Sequence, residues 1–196
     1  MFFGLGPPPE TAAAWVTTAT EQQARFIMLI IAGIFIVLGF AVLREKLKIT
    51  AGGLYSLIGF TALMVAIPLF IFNMIFWSAY LPELFKIMTA SRLEKSPEWF
   101  QPVKYEINLL TPVEVAITYV GVAVFAAAIH SAGWFNKTAS LIYISVCFVA
   151  FMITVLPYSS QLLPVPFFIV TIPAVPFAVA YYIGINLLRK AGNKKE

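Results

Sequence analysis

The chain has 196 residues, of which 61% are hydrophobic and only 11% are charged, and its mean hydropathy is +0.89. These few charged side chains cannot cover the surface of a water-soluble globule. The composition therefore excludes a water-soluble globular protein and indicates an integral membrane protein. The formal net charge of +4 does not indicate nucleic-acid binding, because the Lys and Arg residues stand mainly beside apolar runs.

Several apolar runs exceed the roughly 18 residues that indicate a membrane-spanning helix. The runs are continuous rather than alternating, and a backbone in lipid must satisfy its own hydrogen bonds, so we predict helices and not a barrel. The predicted fold is an all-α, polytopic bundle of about five transmembrane helices in one membrane domain, residues 1–196. The predicted spans cover residues 26–43, 51–80, 112–132, 138–156 and 164–188, with a polar loop at 81–111.

The first part of the chain, residues 7–25, is moderately polar and predicts an interfacial helix or an extension of the first span. A basic cluster at residues 44–48 ends the first span. The second span is longer than a roughly 30 Å hydrocarbon core requires, which implies a tilt or a kink. Pro68, near the middle of this span, removes one helical hydrogen bond and would cause the kink.

The polar loop at residues 81–111 holds four of the nine Glu residues and four of the thirteen Lys and Arg residues. Its first half predicts a short interfacial helix with Pro82 at the start. Residues 103–109 alternate between apolar and polar side chains, which predicts a short strand in need of a partner. Because its charges are mixed in sign and form no catalytic pattern, we expect this loop to be a docking surface.

The third span begins with Thr111, Pro112, Val113 and Glu114, which match a helix capping box. We expect Glu114 to cap its own helix near the membrane interface. The alternative is proton or cation handling, since a charge inside the membrane is costly and is a functional hypothesis by default. The span is also rich in small residues that permit close helix approach in lipid. These are Ala116, Gly121, Ala123, Ala126, Ala127 and Ala128.

The other polar candidates favour structural roles. His130 is the only histidine, so the chain alone cannot supply two axial haem ligands or a His-rich metal site. We expect His130 to hydrogen-bond to a turn, with a site shared with another subunit as the alternative. We expect the side-chain amides of Asn73 and Asn186 to form hydrogen bonds between helices rather than to bind a substrate. We expect Cys147 to be a small side chain in the core. Because it is the one cysteine in the sequence, an intrachain disulfide is excluded.

The fifth predicted span contains three prolines, Pro166, Pro173 and Pro176, and should be bent or partly unwound near its middle. A broken helix exposes backbone carbonyls and amides that can coordinate ions or polar substrates. The alternative is that these prolines only shape the packing, since proline is common in membrane helices.

The charge distribution predicts an orientation. Five spans place the two termini on opposite sides of the membrane. One side then carries the 44–48 turn, Lys137 and the C-terminal tail, which together contain eight of the thirteen Lys and Arg residues. The positive-inside rule then places the C-terminus in the cytoplasm. The N-terminus and the loop at residues 81–111 would lie outside.

The sequence lacks phosphate loops, dinucleotide glycine motifs, nucleophile elbows and metalloprotease motifs, and it has no Asp. We therefore expect no catalytic residues, no metal and no cofactor. The first hypothesis is a non-catalytic integral subunit that scaffolds or stabilises a larger membrane complex, such as an energy-converting one. Its partners would be lipid and the other membrane subunits of a hetero-oligomer, and we expect no nucleic acid. The alternative is a small-solute or ion transporter or channel with a pathway near the fifth span, Pro68 and Asn73. An enzyme acting on lipid or quinone is the weakest hypothesis.

Overall fold

The computed structural model describes residues 11–91, 97–156 and 169–192, and within these ranges the chain is helical with no strand. The predicted all-α bundle is therefore confirmed. A π-helical segment, Phe76–Tyr80, joins the third and fourth helices without a break. The α-helices of the described ranges are α1 Ala12–Thr17, α2 Ala19–Leu47, α3 Gly53–Ile75, α4 Leu81–Ala90, α5 Phe100–Ser131, α6 Lys137–Val155 and α7 Val175–Gly192.

Four helical stretches are long and apolar enough to cross a membrane: Ala19–Leu47, Gly53–Ala90, Phe100–Ser131 and Lys137–Val155. They contain or closely match the first four predicted spans, in agreement with an integral membrane protein. The first of them begins well before residue 26, because α2 already starts at Ala19. The N-terminal stretch thus forms both α1 and an extension of the first span.

Within the described part of the fifth predicted span, residues 169–188, the α-helix begins at Val175. Residues 157–168, including Pro166, lie outside the described residues. Pro173 precedes α7 and Pro176 lies in its first turn, so among the described residues the α-helix is interrupted near the middle of the predicted span, as expected. Proline suits the first helical turn, where its missing N–H leaves no hydrogen bond unmade.

The strand predicted at residues 103–109 is wrong, because these residues belong to α5. Their burial follows a helix rather than an alternating strand: Ile107 is 4% exposed, whereas Tyr105 is 73% and Leu109 is 61% exposed. Phe100, Ile107 and Glu114 are all buried and recur every seven residues, which is two helical turns. The loop predicted at residues 81–111 therefore shrinks to the connection between α4 and α5. The short helix predicted in the first half of this loop is α4, which continues from α3 through the π-helical segment, and its position at the membrane interface stays a prediction.

The capping box predicted at Thr111 is also wrong. Helix α5 is already formed eleven residues earlier, at Phe100, so no helix N-terminus exists at Thr111. The Thr111 hydroxyl instead donates to the carbonyl oxygen of Ile107 at 2.9 Å. Pro112 lies inside the helix, and Glu114 is near the middle of α5 and not at its end.

Pro68 lies inside α3, which remains helical on both sides of it. The departure from regular α-helix comes later, at the π-helical segment Phe76–Tyr80. Segments of this kind are rare and are frequent at functional sites. The second predicted span thus changes from α-helical to π-helical geometry at Phe76–Tyr80, and the kink at Pro68 stays a prediction.

The centre of the bundle is the antiparallel pair α3 and α5. A Cβ on Gly59 would lie only 3.0 Å from the carbonyl oxygen of Gly121, so the two backbones pack very closely. Leu63 and Val122 beside this contact are fully buried. The close approach predicted from the small residues of the third span is therefore present. On its other side α5 packs against α6, where the Ser140 hydroxyl donates to the Ala126 carbonyl at 3.0 Å.

Helix directions bring many cations to one end of the bundle, which we call the basic end. The C-termini of α2, α5 and α7 and the N-termini of α3 and α6 meet there, as shown by the Lys190 ammonium donating to the carbonyl of Trp134 at 2.7 Å. Glu45 is the one acidic residue at this end in the part of the chain that is described. The cations there are Arg44, Lys46, Lys48, Lys137, Arg189 and Lys190.

Candidate functional site

A buried polar cluster joins α3 to α5, with the amide of Asn73 at its centre. The Asn73 Nδ2 donates to Thr111 Oγ1 at 3.0 Å and to Glu114 Oε1 at 2.9 Å. The indole Nε1 of Trp77 donates to Asn73 Oδ1 at 3.0 Å. We call these four residues the Asn73 cluster. The hydrogen bonds between helices predicted for Asn73 are therefore present.

Local helical spacing builds each half of the Asn73 cluster. Trp77 follows Asn73 by four residues, and Glu114 follows Thr111 by three, so each pair lies on one face of its helix. The antiparallel packing of α3 and α5 then brings the two faces together. Sequence reasoning missed Trp77 and assigned Thr111 to a helix cap, although the spacing of Trp77 from Asn73 was visible.

Glu114 is 1% exposed, and its two carboxyl oxygens differ. Oε1 accepts from Asn73, whereas Oε2 has no hydrogen-bond partner among the described residues. No described cation forms an ion pair with it either. Burying a carboxyl group with incomplete hydrogen bonding costs free energy. Glu114 is therefore the member of the cluster with an acceptor left to offer a bound proton, cation or donor group.

A cavity of about 720 Å³ lies beside the Asn73 cluster. Its volume falls within the range of roughly 300 to 1,000 Å³ that is usual for small-molecule sites. Trp77 and Thr111 belong to its wall, so two members of the cluster line the cavity. Glu114 does not line it, but is hydrogen-bonded to Asn73, which is in turn hydrogen-bonded to Trp77 and Thr111. The other polar side chains of the wall are Asn108, Thr154 and Thr171.

The cavity lies toward the end of the bundle opposite the basic end. Its wall includes Val155, the last residue of α6, and Leu156, which follows it, whereas α6 begins at the basic end. Trp77 is level with Phe26, with their ring centroids 6.1 Å apart. Phe26 starts the first predicted span, so Asn73 lies one helical turn inside that level.

Between the Asn73 cluster and the basic end, the seam of α3 and α5 is closed by apolar side chains. Leu63, Ala66 and Val122 are all fully buried there. The Gly59 and Gly121 backbones leave no space between the two helices at this depth. Along this seam, an apolar, close-packed contact therefore lies between the Asn73 cluster and the basic end.

Helix α1 packs over the outer side of Trp77. The Trp15 ring is 6.2 Å from the Trp77 ring and 5.7 Å from that of Phe85, between ring centroids. Trp15 is 3% exposed, so α1 is anchored on the bundle by its aromatic side chain. Trp77 thus connects this aromatic group to the Asn73 cluster and to the cavity wall.

The remaining predicted residues lie elsewhere. His130 is at the basic end, with its Nδ1 3.3 Å from the carbonyl oxygen of Phe135 in the following turn, as expected. Asn186 of α7 donates to the Tyr143 hydroxyl of α6, which is the predicted contact between helices. Cys147 is a buried core side chain. Within the described ranges, no three His, Cys, Asp or Glu residues are grouped so that they could hold a metal ion.

Comparison with known proteins adds no relative: no family model, curated protein or solved structure matches this chain. A function must therefore be argued from the Asn73 cluster, the cavity and the charge distribution.

Tyr119 fixes the far wall of the cavity. Its hydroxyl donates to the carbonyl oxygen of Val170 at 2.9 Å, next to Thr171. We expect Tyr119→Phe to loosen this wall, because the lost hydrogen bond is worth about 1 kcal/mol. A cysteine at Thr171 should then react about fivefold faster with a thiol reagent. Tyr143→Phe, which removes the bond to Asn186 instead, is the control, and equal labelling in both backgrounds would contradict this role of Tyr119.

Proposed function

We propose that this chain is a small membrane transporter that binds a cation or a small polar solute through Glu114, with the cavity beside Trp77 and Thr111 as the entry. One observation carries the proposal. A buried carboxyl group, bonded through one oxygen and without a described partner for the other, stands directly behind the wall of a partly polar cavity.

The helix-capping explanation for Glu114 no longer applies, and this strengthens the proposal. A capping glutamate would lie at a helix N-terminus, but α5 begins at Phe100. An ionisable side chain in a membrane helix is retained at a cost, and such residues usually mark proton or ion pathways. Thr171, two residues before Pro173, lines the same cavity, so the pathway would lie near the prolines of the fifth predicted span.

The members of the Asn73 cluster would have distinct roles. Glu114 would exchange a proton or bind the cation, and the Asn73 amide would hold its carboxyl group in place. Thr111 and Trp77 would pass the solute between the cavity and Glu114. Because the α3 and α5 seam toward the basic end is closed, passage requires these two helices to move relative to each other.

Flux measurements on the full chain in liposomes test the proposal. Proton entry would be followed with a trapped pH-sensitive dye, and cation entry with radioactive rubidium. Glu114→Gln should lower flux about tenfold or more, the effect of losing one hydrogen bond to a charged group. The amide keeps an oxygen for Asn73, so the fold should survive.

Glu106→Gln is the matched control, because Glu106 is exposed and lies on the same helix two turns earlier. Its flux should equal that of the unmodified protein. Vesicles that remain tight to both probes, or equal flux in the Glu114 and Glu106 variants, would count against transport through this site.

A second candidate is the non-catalytic integral subunit of a larger membrane complex. The closed α3 and α5 seam favours it, since the described residues leave no polar path between these two helices toward the basic end. Large apolar side chains such as Phe35 and Val42 of α2 are 67% and 63% exposed and would meet lipid or other subunits. Mild solubilisation should then recover a hetero-oligomer, whereas a monodisperse single chain would contradict this candidate.

For either function we propose that the basic end faces the cytoplasm, as the positive-inside rule predicts. Glu45 is the one described acidic residue there, against the six cations of that end. The cavity and the connection between α4 and α5 would then lie on the outer side.

A further inference from the structure

An apolar groove of about 400 Å³ runs between α2 and α7 at the basic end. Ile36, Phe40 and Leu43 of α2 form one wall, and Ile183 and Leu187 of α7 form the other. The groove is separate from the cavity beside Trp77, since the two share no lining residue. It has a shape and a chemistry that fit a hydrocarbon chain.

Two glycines keep the groove open. Gly39 and Gly184 both line it, and a Cβ at either position would meet no atom within 4 Å. At each of these positions a side chain would fit without a clash, and its absence leaves open space in the wall of the groove. The space is a real gap between the two helices and not a close helix contact like that of Gly59 with Gly121.

Cations stand where the groove reaches the end of the bundle. Lys46 follows Leu43 by three residues and so continues the groove face of α2 by one turn. Arg189 follows Ile185, another groove residue, by four. Neither Lys46 nor Arg189 forms an ion pair with another described residue, because Glu45 is paired with Arg44 and Lys48.

We propose that this groove binds a phospholipid with an anionic headgroup, its acyl chain between α2 and α7 and its phosphate at Lys46 and Arg189. Charge complementarity selects this occupant, since an apolar helix from another protein would leave both cations without a counter-charge. Basic pockets between transmembrane helices bind such headgroups, and each Lys or Arg near an anionic membrane surface contributes to the attraction. The site is independent of the proposed transport function.

Native mass spectrometry of the full chain, with dioleoylphosphatidylglycerol or dioleoylphosphatidylcholine added, tests the site. Phosphatidylglycerol should bind more tightly than phosphatidylcholine. Lys46→Gln together with Arg189→Gln should weaken phosphatidylglycerol binding by about 25-fold, or about fivefold for each cation, and leave phosphatidylcholine unaffected. Lys86→Gln, at the opposite end of the bundle, is the control and should change neither.

A second variant tests the groove without altering charge. Gly184→Leu places a side chain in the open gap, so it should weaken binding of both lipids while the protein elutes from size exclusion as before. The proposal is overturned by equal affinity for the two lipids, by normal binding in the Lys46 and Arg189 double variant, or by a second copy of the chain crosslinked through Gly39→Cys.

Discussion

Replacing Gly52 with alanine should lower the free energy of unfolding by about 3 kcal/mol, the upper part of the usual range for overpacking. A Cβ at this position would lie 2.2 Å from the carbonyl oxygen of Ala128 and 2.9 Å from its carbonyl carbon. These are backbone atoms that cannot rotate away, so the start of α3 would have to separate from the end of α5. Equilibrium unfolding in mixed micelles, followed by circular dichroism, measures the loss.

Gly184→Ala is the matched control for this substitution. Gly184 lies within α7, and a Cβ there meets nothing within 4 Å. Alanine is a better helix former than glycine by about 0.5 to 1 kcal/mol, so this variant should be slightly more stable. The same stability in the Gly52 and Gly184 variants would contradict the close packing of α3 on α5.

Asn73→Leu should also destabilise the protein by about 3 kcal/mol, because it leaves a buried carboxyl group without its hydrogen-bond donor. Glu114 would keep no described hydrogen bond to its side chain. Glu114→Leu should cost less, about 1 kcal/mol, since the Asn73 amide still donates to Thr111. The double variant should cost less than the sum of the two, with a coupling free energy of about 1 to 2 kcal/mol. The same unfolding titration on all four proteins gives this cycle.

Asn186→Leu provides the comparison for the Asn73 variant. Its amide also bonds across two helices, to Tyr143, but Asn186 is exposed. A hydrogen bond between membrane helices contributes about 0.6 kcal/mol on average, so this loss should be small. Additive effects of the Asn73 and Glu114 substitutions would mean that the two side chains do not interact as described.

The double variant also separates stability from function. If the Asn73→Leu, Glu114→Leu protein is still folded at the start of the unfolding titration yet carries no flux, the Asn73 cluster serves transport. If flux persists in that protein, the cluster is a structural contact only, and the integral-subunit hypothesis becomes the stronger one. The lipid site would be unaffected by either outcome, since it uses α2 and α7.

The sequence alone was enough for the class of protein and for most of its helices. The continuous apolar runs predicted α6 as residues 138–156, within one residue at each end of Lys137–Val155. This works because a backbone in lipid has few alternatives to a helix, so length and composition decide the structure. The small residues of α5 likewise predicted a close helix contact, which Gly121 makes with Gly59.

The polar stretch at residues 81–111 could not be predicted in the same way. Its alternating side chains fit a strand, and Thr111 to Glu114 fit a helix start, but both patterns are local. Instead, α5 continues through this stretch, because a helix buries Phe100 and Ile107 against residues that are far away in the sequence. Packing with neighbours that are far away in the sequence outweighs a weak local pattern.

The Asn73 cluster was decided by the tertiary structure alone. From the sequence, Asn73 was an amide expected to bond to an unspecified neighbouring helix, and Glu114 was expected to cap its own helix. The two lie 41 residues apart and meet at 2.9 Å. That distance depends on the register of α3 against α5, which the contacts at Gly52, Gly59 and Gly121 fix. Composition and periodicity thus determined a membrane helical bundle, while side-chain contact across two close-packed helices determined where its chemistry can lie.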